Sequence, residues 1–460
     1  MRKYIFKFAE IILTVYVSIL NGCQKNQLII PNQNFLLERN IKLVPDSVAR
    51  KIAINFNPNI FFNTSNPHNH SNFRSKLNGH NQIIAEHTIK DHMGKPAIYI
   101  FDFIKNEGYL FVSADYQIKP VLAFIEKGRF KEGDAPGGAV MWLNKTIQNI
   151  EIVRKGLYDN TNMAKAAWST YYRRNQEKNS NYSRSGSHPS DSSASPNIIA
   201  PPPPDNPCQS DPDYSNTTTY TTGPLLPVEW AQGETFNELC PYEGCSITGN
   251  GHAPTGCVAT AMAQVIRYWE SPVGTYNYAS MPANSGNSDV QRLMVDAGTS
   301  VGMIYDCAGS HPPSESWAIG GILLNESTAE RIADGFKSTY FGYSSADYDK
   351  SYDGYDYNKI QTDIMYERPA ILSGYPGKNS TWNYPEGDGH TWVCGGTSST
   401  TFEFCMNGTF EEYSTLDFYM NWGWQGSFNG WFAFNNWTIT TDQGEDYQYY
   451  NELDNNIHPL

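Results

Sequence analysis

The chain has 460 residues, enough for two ordinary domains plus extensions. Hydrophobic residues make up 40% and aromatics 14%, so a sizeable core can form. A formal net charge of -14 argues against nucleic acid or an anionic membrane surface as the main partner.

Residues 1–23 read as an export signal. Arg2, Lys3 and Lys7 give a positive start, and the mostly apolar run from Ile11 to Leu20 is too short to span a bilayer as a helix. It ends at Leu20-Asn21-Gly22-Cys23, which resembles the lipobox of bacterial lipoproteins. That resemblance implies a lipid on Cys23, membrane attachment through it, and a place on the outer membrane or cell surface. A plain secretory signal cleaved nearby is the alternative. No later segment reads as transmembrane.

Residues 24–172 form the first region. Its start is polar, and the chain becomes globular from Pro45. Val48, Ile52 and Phe56 follow Pro45 and Asp46 at helical spacing. Ala97-Ile98-Tyr99-Ile100-Phe101 and Tyr109-Leu110-Phe111-Val112, with Asn106 and Gly108 between them, predict a hairpin. A third strand is expected over 121–125 and a helix over about 139–158.

Residues 173–222 differ. Ser183 to Ser187, Pro201 to Pro204 and Ser215-Asn216-Thr217-Thr218-Thr219 offer little apolar surface to bury. They predict a disordered linker holding a processing site. Apolar and aromatic segments return in residues 223–460, the second domain.

Eight cysteines in an exported chain invite disulfides. Setting Cys23 and Cys257 aside leaves Cys208, Cys240, Cys245, Cys307, Cys394 and Cys405. Cys240 with Cys245, and Cys394 with Cys405 on what read as neighbouring strands, are candidate pairs; spacing leaves the connectivity open. No paired Cys-x-x-Cys pattern suggests structural zinc, and no cofactor is expected.

The chemistry concentrates in the second domain. Val258, Met262, Val265, Ile266 and Trp269 repeat at helical spacing, so a buried amphipathic helix begins at Gly256-Cys257. A thiol in the first turn faces unpaired N–H groups and the positive end of the helix dipole. Both favour the thiolate, the form that acts as a nucleophile. A half-cystine or an inert thiol would suit the same position. His390, at the head of the apolar run Thr391-Trp392-Val393-Cys394, has the pKa of a proton shuttle. Asn421 can accept from the imidazole and orient it, and Trp422 can shield that bond. Gln232, in Trp230-Ala231-Gln232, can donate to an oxyanion together with the Cys257 N–H. Each signal alone is ambiguous.

In the order Gln, Cys, His, Asn-Trp the second domain resembles streptopain-type cysteine peptidases. The carriers are Trp230-Ala231-Gln232 with Phe236-Asn237 and Cys240-Pro241; Gly256-Cys257-Val258-Ala259-Thr260-Ala261 with Ala263-Gln264; Gly389-His390; and Asn421-Trp422-Gly423-Trp424 with Gly426 and Gly430-Trp431-Phe432. The separation 390 − 257 = 133 falls in the range of about 130–150 seen in papain-like enzymes. Gly108-Tyr109-Leu110-Phe111-Val112-Ser113-Ala114-Asp115, then Val121-Leu122-Ala123-Phe124, resembles the family's inhibitory propeptide.

The resemblance implies an α+β fold: a papain-like two-subdomain peptidase, with a helical part bearing the nucleophile and an antiparallel β part bearing His and Asn. An α+β propeptide domain precedes it and acts as an intramolecular inhibitor. It further implies protein or peptide substrates, and preference for a hydrophobic residue two positions before the cut. Thr235 stands where the family pattern has Pro. An inactive relative, or an amidase or transferase using the same residues, remain alternatives.

Overall fold

The computed structural model describes residues 43–62, 77, 80–156, 161–177, 207–211, 214–313, 318–319, 322–323, 327–349, 356–374, 389–434 and 451–459. All belong to one compact unit, Lys42–Leu460. The export signal with Cys23 lies outside the described residues, as do 178–206 of the expected linker. Among the described residues no helix is long and apolar enough to cross a membrane.

Helix α1 (Asp46–Asn55) buries Ala49, Ile52 and Ala53 and is followed by the single turn α2 (Pro58–Phe61). Strands β1 (Ile83–Lys90), β2 (Pro96–Phe103), β3 (Tyr109–Ser113) and β4 (Val121–Ile125) then form an antiparallel meander. The β2–β3 hairpin is where the sequence predicts it. Gly108 opens β3 at φ +90°, and a side chain there would run into the Ile125 carbonyl, so only glycine lets β3 lie this close to β4. Helices α3 (Gly137–Arg154) and α4 (Thr161–Glu177) complete the N-terminal region.

The expected linker is corrected at both ends. Arg173 to Glu177 continue α4. Downstream, the turn α5 (Pro207–Ser210) leads to β5 (Ser215–Thr222), which pairs along its whole length with residues 397–404 of a long central strand. A partly exposed strand does not require apolar residues. β-Branched threonines suit its backbone, and hydroxyl pairs Thr219–Thr400 (3.1 Å) and Thr221–Ser398 (2.9 Å) join it to its neighbour.

The short hairpin β6 (Tyr242–Cys245) and β7 (Gly251–His252) precedes the helices α6 (Cys257–Trp269) and α7 (Ser288–Ser300). The small pair β8 (Ala318–Ile319) and β9 (Ile322–Leu323) leads to α8 (Thr328–Lys337). Then come β10 (Ser345–Asp349), α9 (Tyr357–Met365), β11 (Ala370–Gly374), β12 (His390–Met406), β13 (Thr409–Asn421), β14 (Gly430–Phe434) and β15 (Asn451–His458).

One antiparallel sheet runs through both regions, in the order β1-β2-β3-β4-β14-β13-β12-β11-β15-β10, with β5 beside the far half of β12. The join is β4 on β14, where Ile125, Phe124 and Ala123 face Gly430, Trp431 and Phe432. Both regions contribute to each core layer at this join. Ile98, Phe111, Trp142 and Ile150 pack with Trp392, Phe418, Trp422 and Phe432 on one face. Phe56, Phe124 and Trp168 pack with Tyr419 and Trp431 on the other. Trp142 anchors the first layer: its ring meets Phe111 and Phe432 edge-on, and its Nε1 donates to the Ala433 carbonyl at 3.0 Å. The third core gathers α6, α7 and α8 and includes Val393 of the sheet.

The disulfides are Cys208–Cys405 and Cys245–Cys307, while Cys240 and Cys394 are buried free thiols. Neither candidate pair forms. Cys394 and Cys405 lie on the same strand, and eleven residues of extended chain hold them about 36 Å apart. The extended run of β6 separates Cys240 from Cys245.

Candidate active site

Cys257 is the first residue of α6, and its thiol is unpaired and part-buried. Gly256, at φ +89°, turns the chain into the helix where a side chain would strike the Ser310 carbonyl and Met303. The Thr260 N–H and hydroxyl both donate to the Gly256 carbonyl at 3.0 Å, and the Thr255 hydroxyl lies 2.9 Å from that of Thr260. The turn carrying the sulfur is therefore fixed by three hydrogen bonds. Backbone and side-chain groups of Thr391 and the backbone of Val258 and Cys257 pull the thiol pKa down. Burial outweighs them and pushes the thiol above its ordinary range. The helix terminus was expected to favour the thiolate; in this conformation the neutral thiol is favoured because desolvation is the larger effect.

His390 opens β12, buried, with Nε2 2.9 Å from the Trp422 carbonyl. A carbonyl can only accept, so Nε2 carries the hydrogen and Nδ1 holds the free lone pair. Burial lowers the imidazole to about 4, opposed by the Trp422 hydrogen bond, so the ring is neutral near pH 7. It stacks on Trp392 with centroids 6.0 Å apart, and Trp392 lies against Trp422 at 5.0 Å.

Strand alternation explains this company. His390 and Trp392 point to one face of β12, and Thr391 and Val393 to the other, toward α6. Among the described residues no hydrogen bond joins His390 to Cys257. The start of α3 covers the His390 face instead. A side chain at Gly137 would touch the His390 Cβ at 3.5 Å, and one at Gly138 would collide with the Trp422 ring.

The Asn421 side chain does not bond His390, contrary to expectation. Its Nδ2 donates to the Val228 carbonyl at 2.9 Å, and its Oδ1 accepts from the Gly423 N–H at 3.1 Å. Asn421 is directly opposite Val393 in the β12–β13 register. Directly opposed residues share a face of the sheet, so Asn421 shares the face of Val393 and not that of His390. The carbonyl of the next residue takes the imidazole hydrogen. Trp422 is fully buried, and its Nε1 donates to the Phe428 carbonyl at 2.9 Å.

Gln232 is half-buried, and its carbonyl accepts from the Thr255 N–H at 2.8 Å, two residues before the cysteine. The Trp230 N–H donates to Gln264 of α6 at 3.3 Å, so the Gln232 segment is tied both to the chain entering α6 and to α6 itself. Sequence reasoning missed Thr391, Trp392 and the pair Gly137-Gly138. Thr391 and Trp392 carried a usable signal, since alternation along a strand headed by His390 sends its neighbours to defined faces. The glycine pair carried none, because its role depends on residues about 250 positions away.

The Spi protease inhibitor family matches residues 42–150, and the Peptidase C10 family matches 230–280 and 271–432. The second match spans Gln232, Cys257, His390, Asn421 and Trp422. Residues 230–432 belong to the peptidase C10, or streptopain, family. Residues 230–432 form the Peptidase C10 domain, and the Spi domain with its β1–β4 meander stands ahead of it. The chain is 23% identical over 368 residues to the thiol protease/hemagglutinin PrtT of Porphyromonas gingivalis, covering 73% of this chain and 34% of that protein. It thus spans about a third of that relative's length. A mutant fragment of Prevotella intermedia prointerpain A aligns with 83% of this chain and 99% of its own at 19% identity and a TM-score of 0.45. Active Prevotella intermedia interpain A aligns with 51% and 94% at 23% identity and a TM-score of 0.34.

Proposed function

We propose that this streptopain-family chain is an exported cysteine endopeptidase made as a zymogen, with Cys257 as nucleophile and His390 as its base. One observation carries the reading. Cys257 packs against the core that holds Val393, three residues after His390 on the same strand, while the Spi domain's α3 covers His390 on the opposite face of that strand. The two reacting groups are thus neighbours across one strand end, and the propeptide rests on one of them.

Removal of the Spi domain uncovers His390, and a rotation at the end of β12 brings Nδ1 to the sulfur. The Cys257 proton passes to Nδ1, and the thiolate attacks the scissile carbonyl. The Gln232 amide and the Cys257 N–H hold the oxyanion. The imidazolium gives its proton to the leaving amine, leaving a thioester. The imidazole then takes a proton from water, and the resulting attack releases the acid and restores the thiol. Trp422 orients the ring through its carbonyl, and Asn421 holds the turn that presents that carbonyl. Substrates are protein segments with a hydrophobic residue two positions before the cut. Export through residues 1–23, with lipid on Cys23, is part of the same proposal. The processing point, expected within 173–222, falls between α4 and α5, because the residues flanking that interval are built into the fold.

A thiol-directed epoxide tests the reading. After separation of the Spi domain, it is expected to label Cys257 and block peptide hydrolysis in proportion, and His390→Ala is expected to lose both. Hydrolysis that continues with Cys257 fully labelled contradicts the proposal.

A further inference from the structure

Gly256 turns the chain into α6, and the space where its side chain would stand is filled by the Ser310 carbonyl and the Met303 thioether. Both belong to one loop. The Met303 N–H donates to the Gly298 carbonyl of α7 at 2.9 Å and fixes its root. Ile304 and His311 close its neck by exchanging both backbone hydrogen bonds, at 2.9 and 3.1 Å. The bonds that order its tip are internal. The Ala308 N–H donates to the Asp306 carboxylate at 2.7 Å, the Gly309 N–H to the Asp306 carbonyl at 3.2 Å, and the Asp306 N–H to the Ser310 hydroxyl at 3.3 Å. Cys307 stands at this tip, and its disulfide to Cys245 joins the loop to the β6–β7 hairpin. The hairpin reaches the same turn along the chain. Cys245 lies opposite Gly251 in its register. The Thr248 hydroxyl donates to the His252 carbonyl at 2.6 Å, Asn237 Nδ2 to the Ala253 carbonyl at 3.0 Å, and the Thr255 N–H to the Gln232 carbonyl at 2.8 Å. Hairpin and loop thus grip the Gly256-Cys257 turn from two sides, and Cys245–Cys307 is the covalent link that closes the grip.

We propose that the Cys245–Cys307 disulfide is a positioning device for the reacting thiol: it pins the loop 303–311 on Gly256 and so fixes the turn that presents Cys257. The inference deepens the peptidase reading and rests on it for its biological meaning. The contact on Gly256 is van der Waals in kind, and such a contact loses about a quarter to a half of its attraction once a gap of about 0.5–1 Å opens. Packing alone therefore holds the loop weakly, whereas a covalent link to the hairpin holds it at contact distance. Placement matters here, because a reacting group moved by about 1 Å can cost about a hundredfold in rate. A disulfide also stabilises a fold by restricting the unfolded chain, and Cys208–Cys405, spanning 197 positions against 62, does so as well. Of these two, Cys245–Cys307 borders the Gly256 turn, while Cys405 lies at the far end of β12 from His390. The effect on stability thus belongs to both disulfides, and the effect on the reaction to one.

The test compares two double variants of the full-length chain, Cys245→Ser with Cys307→Ser and Cys208→Ser with Cys405→Ser. Both are expected to melt at a lower temperature than wild type. Amide hydrogen exchange over residues 257–260, measured against α7 in the same protein, is expected to be about tenfold faster in the first and unchanged in the second. After conversion, the first is expected to lose about tenfold or more in kcat with KM little changed, and the second to keep its kcat. Met303→Ala removes the loop's side-chain contact on Gly256 with the disulfide intact. It is expected to shift exchange and kcat in the same direction, and it decides the matter if the first double variant does not fold. Turn exchange and kcat that respond equally to the two double variants, or that stay at wild-type values in the first and in Met303→Ala, overturn the proposal. The exchange readout needs no peptide cleavage. A loosened turn in the first variant, beside a wild-type chain that hydrolyses nothing, would therefore sink the peptidase reading and keep the brace.

Discussion

His390 gives its Nε2 hydrogen to the main-chain oxygen of Trp422, 2.9 Å away, rather than to the side chain of Asn421. Asn421 acts one step removed, bonding Val228 and Gly423 to shape the turn that presents that oxygen. Asn421→Ala leaves a buried carbonyl and N–H unpaired. It is expected to cost about 2 kcal/mol of stability and to reduce kcat only partly, whereas His390→Ala abolishes turnover. Melting temperature and kcat/KM on the same preparations check this. Asn421→Ala as inactive as His390→Ala, with unchanged melting, contradicts it.

The depressed imidazole sets an acid limit on the zymogen. The unfolded chain takes up this proton near 6.5, and the folded chain only near 4. Protons therefore bind the unfolded state more tightly in that window, and stability is lost as pH falls from 6.5 toward 4, by up to about 3 kcal/mol. Thermal denaturation of full-length Cys257→Ala across this range is expected to show the loss. Adding His390→Gln is expected to flatten it.

Glu126 gives the opposite dependence. It follows β4 at the join between the Spi and peptidase domains, accepting the Tyr419 hydroxyl at 3.1 Å beside the Lys127–Glu229 ion pair. Burial raises its carboxyl to about 8, opposed by Tyr419 and Lys127 and assisted by Glu229. The folded chain thus keeps a proton that the unfolded chain releases near 4.5. That contribution is complete below 4.5 and declines as pH rises through 8. The full-length chain is expected to loosen as pH rises from 4.5 toward 8, seen as faster limited proteolysis by an added protease, and Glu126→Gln is expected to remove that dependence.

Lys119 and Asp417 form a buried ion pair across the same join, 2.7 Å apart. Lys119→Met strands a buried carboxylate and is expected to cost about 3–5 kcal/mol. Lys119→Met with Asp417→Leu removes both charges and is expected to recover most of that. Urea unfolding of the three proteins checks the cycle; a double variant no more stable than the single one contradicts it.

The Cys257 helix and the His390 strand were legible because each depends on local pattern: apolar spacing after Gly256-Cys257, and an apolar run after His390. The end of the linker was not. Ser215-Asn216-Thr217-Thr218-Thr219 looks unfoldable by hydrophobicity, and its strand character becomes visible only once β12 offers a polar partner edge. The disulfides escaped for a related reason, since Cys208 reaches Cys405 across 197 positions. The role of Asn421 depends on which face of the sheet its side chain meets. That is a property of register, which no single segment encodes.

The most direct test of the central claim is self-conversion of the full-length chain. Wild-type protein incubated at neutral pH under conditions that keep the thiol reduced is expected to separate its Spi domain and gain hydrolytic activity, while Cys257→Ala stays intact until wild-type enzyme is added in trans. Conversion of the Cys257→Ala chain by itself, at the wild-type rate, contradicts the account.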